Sequence, residues 1–349
     1  MSADAAHEAI GWKTAPYHMT SDKFAEVPRR LRRALATLLG APIDEITLAN
    51  SASYGLHLLA NGLPLAADDE VLLVRGDFPS VVLPWLGLEK KGVVIRQLES
   101  PLSPESLSEH LTEKTRVVCT TWVHSFTGEA IDLEAIGSVL RERGIHFIVN
   151  GAQAVGARPI DVSRAPIDAL IGVGFKWLCG PYGTGYCWMR PELRDKLELN
   201  QTYWLSMQTA DDLGRQESLP SIREDLGGAR YDIFGTANFF NFVPWTASLE
   251  YLLAQGIDNV AAHDAALVDR LIDGLTSLGF VVSSPETGPS RSTLVLASHA
   301  ERERNPAIQA ALKQADVEIA LRRGNLRFSP HLYNVSDDID RALDVLKAV

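Results

Sequence analysis

The chain has 349 residues, of which 46% are hydrophobic and 22% charged, and Asp and Glu outnumber Lys and Arg to give a formal charge of -11. That composition describes a globular chain long enough for two domains, and the absence of any basic run with interleaved aromatics excludes nucleic acid and anionic membrane as expected partners. No run of about 18 apolar residues and no basic-then-apolar leader pattern stands in the sequence, so a cytoplasmic location is expected and a membrane span is not.

In chain order, short apolar runs alternate with helical patterns. Ile46 to Leu48 reads as a strand that ends at Asn50 and passes through Ser51, Ala52 and Ser53 into a helix marked by Leu56, Leu59, Ala60 and Leu63. Glu70–Val74, Val93–Leu98, Arg116–Trp122, Phe147–Asn150 and Ala169–Val173 read as further strands, with helical segments at 81–90 and 133–143 between several of them. This order predicts a mostly parallel sheet with helices on both faces. From about Pro244 the pattern changes to long helices, 244–254 and 258–278, then short strands and a last helix after Ser336, read as its N-cap. The expected organisation is a large α/β domain over 20–243 and a smaller α+β domain over 244–349. Residues 1–19 are expected to pack on the small domain or on a partner subunit. Cys119, Cys179 and Cys187 lie in apolar segments without metal-ligand spacing, and no metal site is expected; all three read as core thiols.

Two local patterns carry chemistry. Small residues at 51–53, at a strand-to-helix turn, cap the helix and also let a phosphate approach its first N–H groups. Lys176, in GVGFKWLCGPYGTG, follows a buried strand directly; an amine there is costly to bury unless it is partnered or converted to an imine.

The segments ITLANSASYGLHLL, GDFPSVVLPW, TTWVHSFTGEAIDL, IVNGAQAVGARPIDV, GFKWLCGPYGTGY, RYDIFGTANF and LRFSPHLYNVSDDID stand in an order and spacing that resemble the class V aminotransferase and cysteine desulfurase-like family, over most of the chain. The resemblance implies an α/β fold, the PLP-dependent transferase fold type I, with pyridoxal 5'-phosphate (PLP) as cofactor. Lys176 matches the lysine that holds PLP covalently and moves the proton at the substrate carbon. Ala52 and Ser53 match the phosphate-holding pair, and Gly235 and Thr236 a loop that reaches the phosphate of the neighbouring subunit, which implies a homodimer with shared sites. Phe78 falls where an aromatic, often His, stacks on the pyridine ring. Gln153 matches the residue bonding the phenolic oxygen, and His124 or Ser125 falls near that oxygen or the substrate. Arg327 matches the arginine that takes a substrate carboxylate. Trp204, Trp245, Arg223 and Arg230 are candidates for the pocket, an interface or the surface alike.

Departures from the family pattern bear on the reaction. Asn150 replaces the usual aspartate facing the pyridine nitrogen, which weakens the ring as an electron sink; the amide can instead donate to an unprotonated nitrogen. Val173 and Phe175 replace the usual Ser and His, removing contacts to the phosphate and ring. The segment ahead of the first expected helix is short for the family, so the pocket is expected to be more open or differently filled. No cysteine follows Cys187, and EIALRRGNLRFS occupies the place of the desulfurases' nucleophilic loop. The expected activity is therefore transformation of an α-amino acid or amine, by transamination or related chemistry at the α-carbon such as epimerisation. A carbon-sulfur (β-elimination) lyase and a non-catalytic relative that binds PLP or another ligand are the alternatives.

Overall fold

The computed structural model describes residues 1–99, 102–207 and 222–348. The chain divides into two compact units. The first comprises Met1–Thr121, Leu133–Val155 and Ile160–Ala254. It is built on seven strands, β1 Ile46–Ala49, β2 Glu70–Val74, β3 Val94–Leu98, β4 Thr115–Thr121, β5 His146–Asn150, β6 Ala169–Val173 and β7 Gly185–Met189. They lie in the order β1-β7-β6-β5-β4-β2-β3. All neighbours from β6 to β3 pair in parallel; β7 alone is antiparallel, to both β6 and β1. β1 and β6 therefore run the same way, and the carboxyl ends of β1, β2, β4, β5 and β6 share one edge of the sheet. In such sheets that edge is where ligands bind.

Strands β4 to β7 are buried almost throughout, as their continuous apolar runs require. The helices of this unit include α1 Ser2–Thr14, α2 Ser21–Leu39, α3 Ala52–Gly62, α4 Pro79–Leu86, α5 Pro104–His110, α6 Leu133–Glu142, α7 Pro191–Arg194, α8 Trp204–Met207 and α9 Phe239–Gln255. Helix α3 reaches the sheet closely because Gly55 has no side chain: a Cβ there would meet Ile171 and Cys187 at 3.0 Å. Edge strand β1 is covered by the segment before α9. Thr47 donates to the Gly228 carbonyl at 2.7 Å, and the Ile233 N–H donates to the Leu48 carbonyl at 2.9 Å. Arg32 of α2 closes this corner with a buried, two-pronged pair to Asp232, at 2.6 and 3.1 Å, while Asp232 also accepts the Leu48 N–H at 2.8 Å.

The second unit comprises Trp122–Asp132, Gly156–Pro159 and Gln255–Val349. Four strands, β8 Val281–Val282, β9 Val295–Ser298, β10 Ala320–Arg322 and β11 Asn325–Phe328, form an antiparallel sheet in the order β10-β11-β9-β8. Helices α10 Ile257–Ser277, α11 Asn305–Gln314 and α12 Ser336–Lys347 accompany it. Leu271, Leu275, Leu326, Phe328 and Leu343 form the centre of its core.

The division differs from a boundary at 243/244, which falls inside α9. That helix buries Phe242, Trp245 and Leu249 and belongs to the first unit, whereas 122–132 and 156–159 belong to the second. Helix α1 lies along α9, with Trp12 edge-on to Phe239 and Ser2 bonded to Ser248 at 2.7 Å. Ser336 is the first residue of α12 rather than its cap; Asp338 accepts the Val335 N–H at 3.0 Å in that role.

Candidate active site

The first unit places most of the expected cofactor residues at the carboxyl edge of its sheet. After β1, Ser51 caps α3: its hydroxyl accepts the Tyr54 N–H at 3.3 Å and donates to Asn50 at 3.0 Å. The Ala52 and Ser53 N–H groups then have no acceptor within the described chain. Two open donors at the positive end of a helix suit a phosphate.

After β6 the chain turns sharply to present Lys176. The turn is closed by Gly180 N–H to the Gly174 carbonyl at 2.7 Å, and Cys179 N–H to the Lys176 carbonyl at 3.0 Å. It rests on the indole of fully buried Trp245, whose atoms would lie 2.6 Å from a Cβ on Gly174 and 2.4 Å from one on Gly180. Glycine is required at both positions by this close approach. Ser248, one helical turn along α9, donates to the Cys179 carbonyl at 2.8 Å. Trp245 thus backs the lysine turn from below, which corrects its reading as a pocket or interface residue.

Lys176 Nζ stands 5.7 Å from the centroid of the Phe78 ring. Phe78 is itself aimed by its neighbour: Asp77, buried, accepts the Phe78 N–H at 2.6 Å, the Thr121 N–H at 2.9 Å, and the hydroxyls of Thr121 at 3.0 Å and Thr120 at 3.2 Å. The three donors from Thr120 and Thr121 tie the loop after β2 to the end of β4. Sequence reasoning passed over Asp77; its only sign was an acid in an otherwise apolar GDFPSVV context.

Asn150 ends β5 with its side chain buried, and Oδ1 accepts the Ala152 N–H at 3.0 Å. A backbone N–H only donates, so this bond assigns Oδ1 and leaves Nδ2 as the donor end of the amide. Gln153 is buried in the turn that follows. Val173 is buried at the end of β6, and Phe175 stacks on the exposed ring of Tyr182, centroids 4.4 Å apart.

Gly235, exposed with φ +87, and buried Thr236 lie on the loop held by the Arg32–Asp232 pair. The Tyr54 hydroxyl, on the first turn of α3, donates to the Tyr231 carbonyl at 2.7 Å, so this loop and the α3 N-terminus are braced together. Beside Gly235, Phe234 and Trp204 are largely exposed and flank Tyr203 in one aromatic cluster. Arg223 is paired with Asp225 at the surface, and Arg230 lies over the Tyr231 ring.

The second unit brings together Ser125 and Arg327, 202 residues apart: an Arg327 Nη donates to the Ser125 carbonyl at 3.2 Å. His124, buried, contacts the Thr127 hydroxyl through Nδ1 at 3.2 Å. Arg327 forms no ion pair among the described residues, and its Nε is buried without an acceptor. Burial, and next the charge of Arg322, lower its pKa from the ordinary guanidinium value.

The EIALRRGNLRFS segment is a tight hairpin. Arg322 pairs with Asn325 across a two-residue turn in which Arg323 and Gly324 both have positive φ. Burial pushes the Cys119 and Cys187 thiols up, away from reactivity. Cys179 departs from the expected core role: it is half-buried on the lysine turn, at φ +50. Among the described residues no cluster of His, Cys, Asp and Glu could hold a metal, and no helix is long and apolar enough to cross a membrane.

The aminotransferase class-V family model matches residues 7–341. The uncharacterized aminotransferase YcbU of Bacillus subtilis is 26% identical, over 98% of this chain and 86% of its own length. A probable cysteine desulfurase of Methanothermobacter thermautotrophicus is 27% identical, over 71% of this chain and 62% of its own. Among solved structures, the cystine C-S lyase C-DES in complex with cysteine persulfide matches with a TM-score of 0.89 at 20% identity, covering 99% of this chain and 93% of that one. The chain belongs to the aminotransferase class-V family, whose members are PLP-dependent enzymes acting on amino acids or amines.

Proposed function

We propose that this chain holds PLP on Lys176 and transforms an α-amino acid by transamination or closely related chemistry at the α-carbon. The observation that carries the proposal is the placement of the Lys176 amine beside the Phe78 ring, at the sheet edge that also carries two open helix N–H groups and the Asn150 amide. These residues fit the cofactor. Ala52 and Ser53 would take the phosphate, Phe78 would cover one face of the ring, Gln153 would face the phenolic oxygen and Asn150 the pyridine nitrogen.

When bound, PLP supplies a ring that withdraws electrons from the substrate's α-carbon. Lys176 Nζ is the chain's base for the α-proton and returns it, and the braced turn on Trp245 keeps that nitrogen in place. Arg327 of the second unit, held by the Ser125 carbonyl, is the group suited to take a substrate carboxylate. Asn150, with Oδ1 committed to the Ala152 N–H, would offer its Nδ2–H to the ring nitrogen, a contact that favours the unprotonated form. This moderates electron withdrawal and favours a narrow transformation.

A second copy of the chain completes the site through Gly235 and Thr236. The exposed Phe234 and Trp204 support this reading, because an apolar cluster beside a ligand loop calls for a partner. A persulfide route is disfavoured: both fully buried cysteines have raised thiol pKa values, and the β10–β11 turn is too short to carry a nucleophile loop.

The test is an amino-acid screen of the PLP-loaded protein, with keto acid formation read against release of ammonia and sulfide. Keto acid formed only when an acceptor keto acid is present supports transamination. Pyruvate and ammonia formed without an acceptor, with sulfide from cysteine or cysteine persulfide from cystine, favour the lyase instead.

A further inference from the structure

On the β10–β11 hairpin of the second unit, Ala320 stands opposite Arg327 and Arg322 opposite Asn325. Opposed residues point to the same face, and so do residues two apart on a strand. Arg322 and Arg327 therefore share one face as diagonal neighbours, with Cα atoms roughly 7–8 Å apart by sheet geometry. The two-residue turn of Arg323 and Gly324 leaves no slack in that spacing.

Neither arginine is neutralised. Among the described residues Arg322 and Arg327 form no ion pair, and their acceptors are carbonyl oxygens: Leu321 at 3.0 Å for Arg322 and Ser125 at 3.2 Å for Arg327. The Arg327 Nε–H is buried with no acceptor. Arg323, at the turn, adds a third cation whose guanidinium lies 4.2 Å from the Phe126 ring, next to Ser125. A half-buried cation with like charge beside it is costly, and an anion with two charged ends would relieve both arginines together.

We propose that this hairpin face selects an α-amino dicarboxylic acid, of the aspartate or glutamate class. Its α-carboxylate sits on Arg327 and its side-chain carboxylate on Arg322. The proposal rests on the reading that Arg327 takes a substrate carboxylate. A substrate with one carboxylate leaves Arg322 without an anion, so the second charge is the source of discrimination.

The experiment is calorimetric titration of the PLP-loaded protein with glutarate and with butyrate, at fixed ionic strength. Glutarate is expected to bind at least about tenfold more tightly, a difference of about 1.4 kcal/mol. Arg322→Ala, at an exposed position that spares the fold, is expected to remove that preference by weakening glutarate binding far more than butyrate binding. Arg322→Lys should keep part of it, and Arg327→Ala should weaken both acids. Equal binding of the two acids to the parent protein, or a preference that survives Arg322→Ala, overturns the dicarboxylate proposal and leaves the carboxylate role of Arg327 standing. Binding of neither acid overturns both.

Discussion

Replacing Asn150 with Asp tests how this chain sets the electronics of its cofactor. Asn150 is buried, and its Oδ1 is committed to the Ala152 N–H at 3.0 Å, so in the variant one carboxylate oxygen keeps that bond while the other takes the place of Nδ2. The outward atom changes from a donor to a charged acceptor. An opposite charge in contact raises the affinity of a basic nitrogen for its proton by about 1–3 pKa units. At about 1.4 kcal/mol per unit, that is about 1.4–4 kcal/mol in favour of the protonated ring. The assay is nitrogen NMR of the protein loaded with PLP labelled at the pyridine nitrogen, followed across pH. The parent protein should show an unprotonated ring nitrogen at neutral pH, and Asn150→Asp a protonated one with a stronger cofactor response to amino acids. A protonated nitrogen in the parent protein, or identical spectra for the two, would refute the reasoning.

Other outcomes follow from the packing. Trp245→Ala removes the support of the lysine turn and should cost about 3–5 kcal/mol in chemical denaturation, whereas Trp245→Phe should retain most stability but lower cofactor occupancy. Arg32→Ala strands the Asp232 carboxylate and should cost about 3–5 kcal/mol; replacing both with leucine should cost much less, by the same denaturation curve. Thiol titration with an aromatic disulfide should modify Cys179 alone in the native protein and all three cysteines after denaturation, because burial raises the other two thiols.

Most of the parallel sheet is legible in the sequence because strands buried on both faces read as unbroken apolar runs, as in ALIGV and HFIVN. Strand β7 is not, since GYCWM follows a cluster of Gly and Pro and its antiparallel placement depends on its neighbours, β1 and β6. The start of α12 is misread because Ser336 has a capping hydroxyl, while the acceptor that closes the helix is Asp338. The change of pattern read at Pro244 falls within α9, which begins at Phe239, because a proline within the first turns of a helix looks like a helix start.

The order of motifs singles out Lys176, Phe78, Asn150 and Arg327 as candidates. The residues that brace the Phe78 loop, the Lys176 turn and the 232–236 loop, namely Asp77, Ser248, Trp245 and the Arg32–Asp232 pair, carry little local signal of that role. Their roles come from contacts across tens to hundreds of residues. The amide orientation of Asn150 and the shared face of Arg322 and Arg327 are likewise matters of tertiary geometry.

The most direct test of the account is the absorbance spectrum of the purified protein with PLP, before and after borohydride reduction, with peptide mass used to locate the adduct. The account predicts a visible band that reduction abolishes, one PLP fixed per chain on Lys176, and no adduct in Lys176→Ala. Failure to bind PLP in excess, or fixation on another lysine, would contradict it.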